Sequence, residues 1–200
     1  MASQTEICNL ALTKLGESNR ITTIDDDTKP ARELKAVYDM TRDALLRGHR
    51  WHFAMTRTAL ASLVAAPAWG YDTQFQLPPD FLRLDFVGDF YVGTDLSEFR
   101  GTESMFYALE GGKLLCDLDD PLNIRYVARI EDTSLYDPLF NEAFACKLGL
   151  QAVEALTQSN SKQESIAAQY DVAIREAKRT NAIERPPTPL ADDTWMTARA

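Results

Sequence analysis

The hydrophobic spacing of this chain changes period twice, from helical to strand-like and back, and that double switch limits what it can fold into. At the N-terminal end, Ile7, Leu10, Ala11 and Leu15 recur at helical spacing. Ser3-Gln4-Thr5-Glu6 ahead of them reads as a capping box, in which each side chain satisfies an end amide of the helix. Gly16 supplies the stop, because glycine tolerates the left-handed turn that follows a helix. A second helix follows Asp25-Asp26-Asp27-Thr28, with Pro30 in its first turn. Acids at that end complement the helix dipole, and proline loses no needed hydrogen bond there. Ala31, Leu34, Tyr38, Thr41 and Leu45 form its apolar face as far as Gly48, and its charges lie largely elsewhere.

Period two then takes over. Thr73–Leu77 and Phe81–Val87 read as strands separated by Pro78-Pro79-Asp80. Tyr107–Glu110, Gly111-Gly112 and Lys113–Asp117 read as a hairpin, since a Gly-Gly turn accepts the positive φ angles of tight hairpins. In Leu122–Ile130, Ile124, Tyr126, Ala128 and Ile130 alternate with Asn123, Arg125, Val127 and Arg129. Helical spacing returns at Asp137-Pro138 with Leu139, Ala143, Cys146, Leu150 and Val153. Gln158–Asn160 reads as a turn, and Ser161-Lys162-Gln163-Glu164 as a second capping box opening a helix with Ile166, Tyr170, Ala173, Ile174 and Ala177. This pair is expected to form an antiparallel helical hairpin. From Ile183 the spacing is lost, and Pro186-Pro187-Thr188-Pro189 favours an extended course.

The expectation is an α+β fold, mainly α. Residues 1–50 and 136–182 supply a four-helix core of two N-terminal and two C-terminal helices. Residues 51–135 form a β-rich insertion, and residues 183–200 an extended C-terminal arm. The arm carries Leu190, Trp195 and Met196, which a purely solvated tail has little use for, so it reads as a docking segment.

The charge is uneven. Residues 1–50 balance eight acids against eight bases, whereas residues 51–135 carry thirteen acids and six bases. With a net charge of −9, the chain is poorly suited to non-specific nucleic-acid binding, which needs Lys and Arg to neutralise phosphates. There is no run of about 18 apolar residues to cross a membrane, and no basic segment followed by an apolar stretch at the N-terminus, so a cytosolic protein without a signal peptide is expected. Three well-separated cysteines, Cys8, Cys116 and Cys146, read as small buried hydrophobes rather than a disulfide framework.

Chemistry is hard to find. His49 and His52 share a spacing suited to metal, but Gly48 ends the helix, Arg47 and Arg50 repel a cation, and no further ligand is near in sequence; exposed histidines beside a packing Trp51 are expected instead. Asp117-Leu118-Asp119-Asp120 lacks the glycine and distal glutamate of a calcium loop and reads as a solvated acidic turn. Asp25-Asp26-Asp27 is better explained by the helix start. There is no G-x-S-x-G, no Walker A run and no G-x-G-x-x-G. No catalytic residue, metal ligand or cofactor site is therefore assigned, and the chain is not expected to be an enzyme.

Its motifs do resemble one family. Asn9-Leu10-Ala11-Leu12, Leu15-Gly16-Glu17, Ile21 and Ile24-Asp25 come first, then Ala31, Tyr38, Arg42-Asp43 and Leu45-Leu46. Trp51-His52-Phe53-Ala54 follows with Arg57, Leu60, Pro67, Gly70-Tyr71 and Phe75-Gln76-Leu77-Pro78-Pro79-Asp80-Phe81-Leu82-Arg83. The match weakens through the β segment and resumes at Tyr126-Val127, Leu135-Tyr136-Asp137-Pro138-Leu139-Phe140 and Ala143–Leu148. Each element alone is unspecific; the ordered set over about 130 residues is not. It resembles the head-to-tail adaptor of short-tailed phages, also called tail tubular protein A or tail accessory factor. Where that family most often has Pro-Trp-Asn-Phe, this chain has Arg50-Trp51-His52-Phe53.

The resemblance implies a structural virion protein at the head-tail junction, made in the host cytoplasm. It implies a ring oligomer of about a dozen copies, a dodecamer, beneath the portal protein, with the tail nozzle protein below and DNA passing through the lumen without specific binding. It implies no membrane partner and no catalytic residue. The arm after Ile183 corresponds to the family's C-terminal extension toward the portal, which makes Pro186, Pro187, Pro189, Leu190, Trp195 and Met196 interface candidates. Arg42 is a further candidate, as an intersubunit ion pair weighed against a solvated charge. Trp51, Phe53 and Tyr71 read as core joining helices to β segment. Another head-completion or tail-terminator protein, or a virion-associated cell-wall hydrolase, is the alternative reading.

Overall fold

Helix α1, Gln4–Leu15, starts where the sequence asks it to. The Ser3 hydroxyl accepts the Glu6 amide and the Glu6 carboxylate accepts the Ser3 amide, closing the capping box. Gly16 ends the helix at φ 74°. A computed structural model describes residues 2–88, 90–91 and 107–184 of the chain. Among them lie four helices and two small antiparallel sheets, an α+β architecture.

Helix α2, Lys29–Gly48, is capped by Thr28, whose hydroxyl accepts the Ala31 amide, with Pro30 in the first turn. The three preceding acids divide the work. Asp27 pairs with Arg32 and Asp25 with Lys35, while Asp26 accepts the amides of Thr22 and Thr23. Helix α3, Pro138–Thr157, opens on Asp137, which accepts the amides of Leu139 and Phe140. Helix α4, Asn160–Ile183, differs from expectation at its start. It begins ahead of Ser161, with Ser159 at the cap position and no side-chain cap bond, so the second capping box does not form. Lys162 instead donates to the Leu15 carbonyl at 2.6 Å, closing the end of α1 with a cation where the helix dipole is negative.

Helix α3 is the hub, since α1, α2 and α4 each pack against it. Leu12, Leu34, Leu46, Phe140, Phe144 and Leu148 are among the side chains buried between them. Close approach depends on Gly149, where a Cβ would stand 2.4 Å from the Ile166 Cδ1 atom of α4 and 3.5 Å from the Ala11 carbonyl of α1.

The β segment divides into two sheets. One, in the order β1-β7-β3-β4, holds β1 (Met55–Leu60), β7 (Leu122–Ala128), β3 (Phe81–Val87) and β4 (Phe90–Tyr91). The other, in the order β2-β6-β5, holds β2 (Thr73–Gln76), β6 (Lys113–Cys116) and β5 (Tyr107–Glu110). The Gly111-Gly112 hairpin forms, with φ 55° and 76°. Strand β1 has no counterpart in the sequence reading, because Met-Thr-Arg-Thr-Ala-Leu offers no run of β-branched residues. Pairing with β7 over its whole length makes it a strand.

The two sheets enclose a second apolar core of Leu60, Phe75, Leu84, Val87, Leu114, Leu122, Ile124 and Tyr126. The opposite face of the first sheet turns toward the helices, where Leu82 and Val127 join the helical core. Val127 therefore departs from the simple alternation, because β7 is buried on both faces at this end. All three cysteines are buried and free, and burial pushes the Cys8 thiol up to about 12. No described helix is long and apolar enough to cross a membrane.

Candidate functional site: an arginine-lined cleft

Between the helix-covered end of the first sheet and its open end runs a strip where arginines gather. Arg57 on β1 stands directly opposite Arg125 on β7 in the antiparallel register. Like charges facing each other across two strands are destabilising unless something neutralises them. Part of the answer is a bulge in β3. The pairing jumps from Leu84↔Tyr126 to Phe86↔Arg125, leaving Asp85 as the extra residue. A bulge re-aims a side chain, and here the Asp85 carboxylate is fully buried. One of its oxygens meets Arg50 at 2.5 Å and the other meets Arg125 at 2.6 Å. The Arg125 guanidinium also lies 5.6 Å above the Phe86 ring centre.

Further arginines crowd the same place. Arg47 donates to the Leu82 carbonyl, and Arg83 donates back to the Arg47 carbonyl at the C-terminal end of α2. Burial first, then the charges of Arg50 and Arg47, hold the Arg83 guanidinium below its ordinary value. Of the six basic residues in the acidic segment 51–135, Arg57, Arg83 and Arg125 are collected here.

Two cavities share lining residues along this strip. Toward the helices, about 500 Å³ is lined by Arg50, His52, Met55, Arg57, Arg125, Asn181 and Glu184. Toward the open end, about 580 Å³ is bounded by Arg57, Ala59, Phe86, Gly88, Asn123 and Arg125. Arg57 and Arg125 belong to both. Arg57 is exposed and has no ion pair among the described residues. Arginine is the cation best suited to bind carboxylate or phosphate through two hydrogen bonds at once.

Asn181 fixes the floor. Its Oδ1 atom accepts the His52 amide at 2.9 Å and lies 2.8 Å from His52 Nδ1. Its Nδ2 atom donates to the Arg50 carbonyl and reaches His49 Nε2 at 3.0 Å. Both histidines are thus tied to α4. His52 remains exposed and lies 3.3 Å from Glu184, whereas His49 is half-buried, edge-on to Trp51 at 4.7 Å, in contrast to the expectation of two exposed rings. Sequence reasoning had no signal for Asn181, a polar residue near the end of a helix.

The other candidates fall elsewhere. Arg42 is not a solvated charge: it is 7% exposed and pairs within the chain with Asp39 at 3.0 Å and Asp43 at 2.9 Å. Asp43 also takes Arg129 at 2.8 Å, so the network ties α2 to the end of β7. Burial opposes the Arg42 charge, but the Asp43 hydrogen bond and the charges of Asp43 and Asp39 together raise its pKa. Trp51 is buried, donates to the Leu45 carbonyl at 3.0 Å and meets Phe140 at 5.0 Å; Phe53 stacks among Trp51, Tyr136 and Phe140. Tyr71 is half-buried in the loop before β2. Asp117 and Asp120 accept the Asp72 and Ser62 amides, so the acidic turn pins the β1–β2 loop rather than facing only solvent. Pro186, Pro187, Pro189, Leu190, Trp195 and Met196 lie outside the described residues. Among the described residues, no group of three or more His, Cys, Asp or Glu side chains could hold a metal ion.

The fold and site define an α+β protein with an arginine-lined cleft at the boundary between its helices and its larger sheet. Comparison with models of known protein families finds no match, and comparison with curated proteins finds none either.

Proposed function

We propose that the chain is a structural virion protein, a head-to-tail adaptor that forms a ring of about twelve copies between the portal and the nozzle of a short-tailed phage. The observation that carries this reading is the ordered set of motifs described above, from Asn9-Leu10-Ala11-Leu12 through Phe81-Leu82-Arg83 and again from Tyr126 to Leu148. The packing of those motifs supports it. Residues from the two separated stretches converge in one aromatic cluster, with Tyr38 against Phe144, Trp51 against Phe140 and Phe53 against Tyr136 at 5.0 to 5.6 Å. On this reading the four helices form the core, residues 51–135 an insertion, and residues 183–200 an arm toward the portal.

The surface suits a subunit that is covered on assembly. Val64 and Trp69 in the β1–β2 loop, Met40 on α2 and Val172 on α4 are well exposed. On the adaptor reading, these side chains are covered by neighbouring copies. A ring closes when one face of each copy meets a different face of the next. A net charge of −9 lets DNA pass the lumen without adhering.

Electron microscopy of the chain mixed with the portal protein of the same virus tests the reading. A ring of about twelve copies beneath the portal is expected, and the chain alone is expected to be monomeric by mass measurement. Deleting the residues after Arg185 should leave a folded core and weaken portal attachment. Purified particles without this polypeptide, or turnover of a cell-wall substrate by the chain alone, would overturn the proposal.

A further inference from the structure

The connection between β1 and β2 is an apolar protrusion. Residues 61–70, Ala-Ser-Leu-Val-Ala-Ala-Pro-Ala-Trp-Gly, carry no charge, and all but Pro67 are exposed. Val64 and Trp69 lie almost wholly open to solvent. Yet the loop is held in place from several sides. The Leu63 amide donates to the Gln74 carbonyl at 2.8 Å, and the Gln74 side chain donates back to the Ala65 carbonyl at 2.5 Å. Asp120 accepts the Ser62 amide at 2.8 Å, and Asp117 accepts the Asp72 amide at 2.9 Å. A knob ordered in advance loses little entropy when it binds. Asp72, Asp117 and Asp120 are themselves exposed, so they collar its foot with negative charge.

The arginine-lined cleft is the matching face of the same molecule. Arg57, exposed on β1, lines both of its cavities, with Met55 in the wall of one and Phe86 in that of the other. An indole ring is served by that mixture, since it takes apolar walls at its edges and a guanidinium over its face. The helix-side cavity of about 500 Å³ is ample for one such ring. Charge selects between occupants. Two acidic collars repel each other, as a collar repels phosphate, whereas a collar and an arginine-lined rim attract.

We propose that the Val64–Trp69 loop of one copy docks in the arginine-lined cleft of a second copy, with the Trp69 ring against Arg57 and the collar aspartates toward the arginine rim. The two faces differ, so the contact can repeat from copy to copy. A loop of ten residues falls short of the roughly 20–30 residues a side that a stable pair uses. One contact alone is therefore weak, and the chain in dilute solution stays monomeric. The inference goes beyond the adaptor reading and stands without it, because it names which faces of two copies meet and not what the assembly does.

The test mixes two full-length chains of different mass, one with A68C beside Trp69 and one with A59C at the cleft margin. They are treated with a short bismaleimide at a concentration of the order of millimolar, where contacts this weak are populated. The three native cysteines are buried and add little background. Cross-links joining A68C to A59C should prevail. Adding W69A to the first chain, or R57E to the second, should lower their yield about tenfold, as for the loss of a central anchor. Circular dichroism of each variant checks that the fold is kept. Prevailing A68C-to-A68C dimers, meaning loop against loop, overturn the proposal. So does cross-linking no higher than background, meaning that the loop serves a different chain, or a yield indifferent to W69A. The adaptor reading fails on the composition of particles, a separate measurement.

Discussion

At Asp85 one buried carboxylate serves two guanidinium groups, those of Arg50 and Arg125. Removing that charge while keeping the shape leaves two cations crowded around a buried, neutral amide. Asp85→Asn should therefore destabilise the fold by about 3–5 kcal/mol, read as a lower urea midpoint. The loss should depend little on salt, since buried pairs are poorly screened. Exposed carboxylates give the opposite lesson. The amide and then the hydroxyl of Ser3 hold Glu6 below its ordinary pKa, and the amides of Thr23 and Thr22 do the same for Asp26. A carboxylate whose folded pKa is depressed adds stability above its unfolded pKa and loses it as pH falls through the folded one. The thermal midpoint should fall as pH drops below about 4, and Asp26→Asn should make that fall shallower. A slope unchanged by the substitution would count against the role given to Asp26.

Individual elements show what could be read in advance and what could not. Both N-terminal helices, the Gly-Gly hairpin and β3 stand where capping chemistry and periodicity put them, because those signals are local. Strand β1 escaped because only its partner β7 makes it a strand, and that partner lies more than sixty residues away. The start of α4 falls ahead of Ser161, and Lys162 closes α1 through a contact that no neighbouring residue reveals. The arginine cleft was illegible for the same reason: Arg50, Arg57, Asp85 and Arg125 come from separate segments, and the bulge that aims Asp85 exists only in the pairing register. Helix α3 carries the element-scale test. Gly149→Val would push a branched side chain against Ile166, Leu15 and the Ala11 carbonyl together. A loss of about 1–3 kcal/mol or more is expected in urea unfolding, because close-packed interiors resist added volume. Asp137→Ala, which removes only the cap of that helix, should cost about 1 kcal/mol.

For the molecule as a whole, the helices and the β segment are not independent pieces. The Arg42–Asp43–Arg129 network ties α2 to the exit of β7, and Asn181 clamps the 49–52 connection onto α4. More decisive is the larger sheet. Leu84, Ile124 and Tyr126 belong to the core beneath it, while Leu82 and Val127 belong to the core above. A party wall of this kind cannot come down on one side only. Melting either half strips the support from the other, so helix content by circular dichroism and the fluorescence of buried Trp51 should be lost along coincident denaturation curves. The sensitivity to denaturant should be that of the entire described chain. In a ring subunit, such a wall would let load applied at the β end be carried by the helical end, with no compliant joint between.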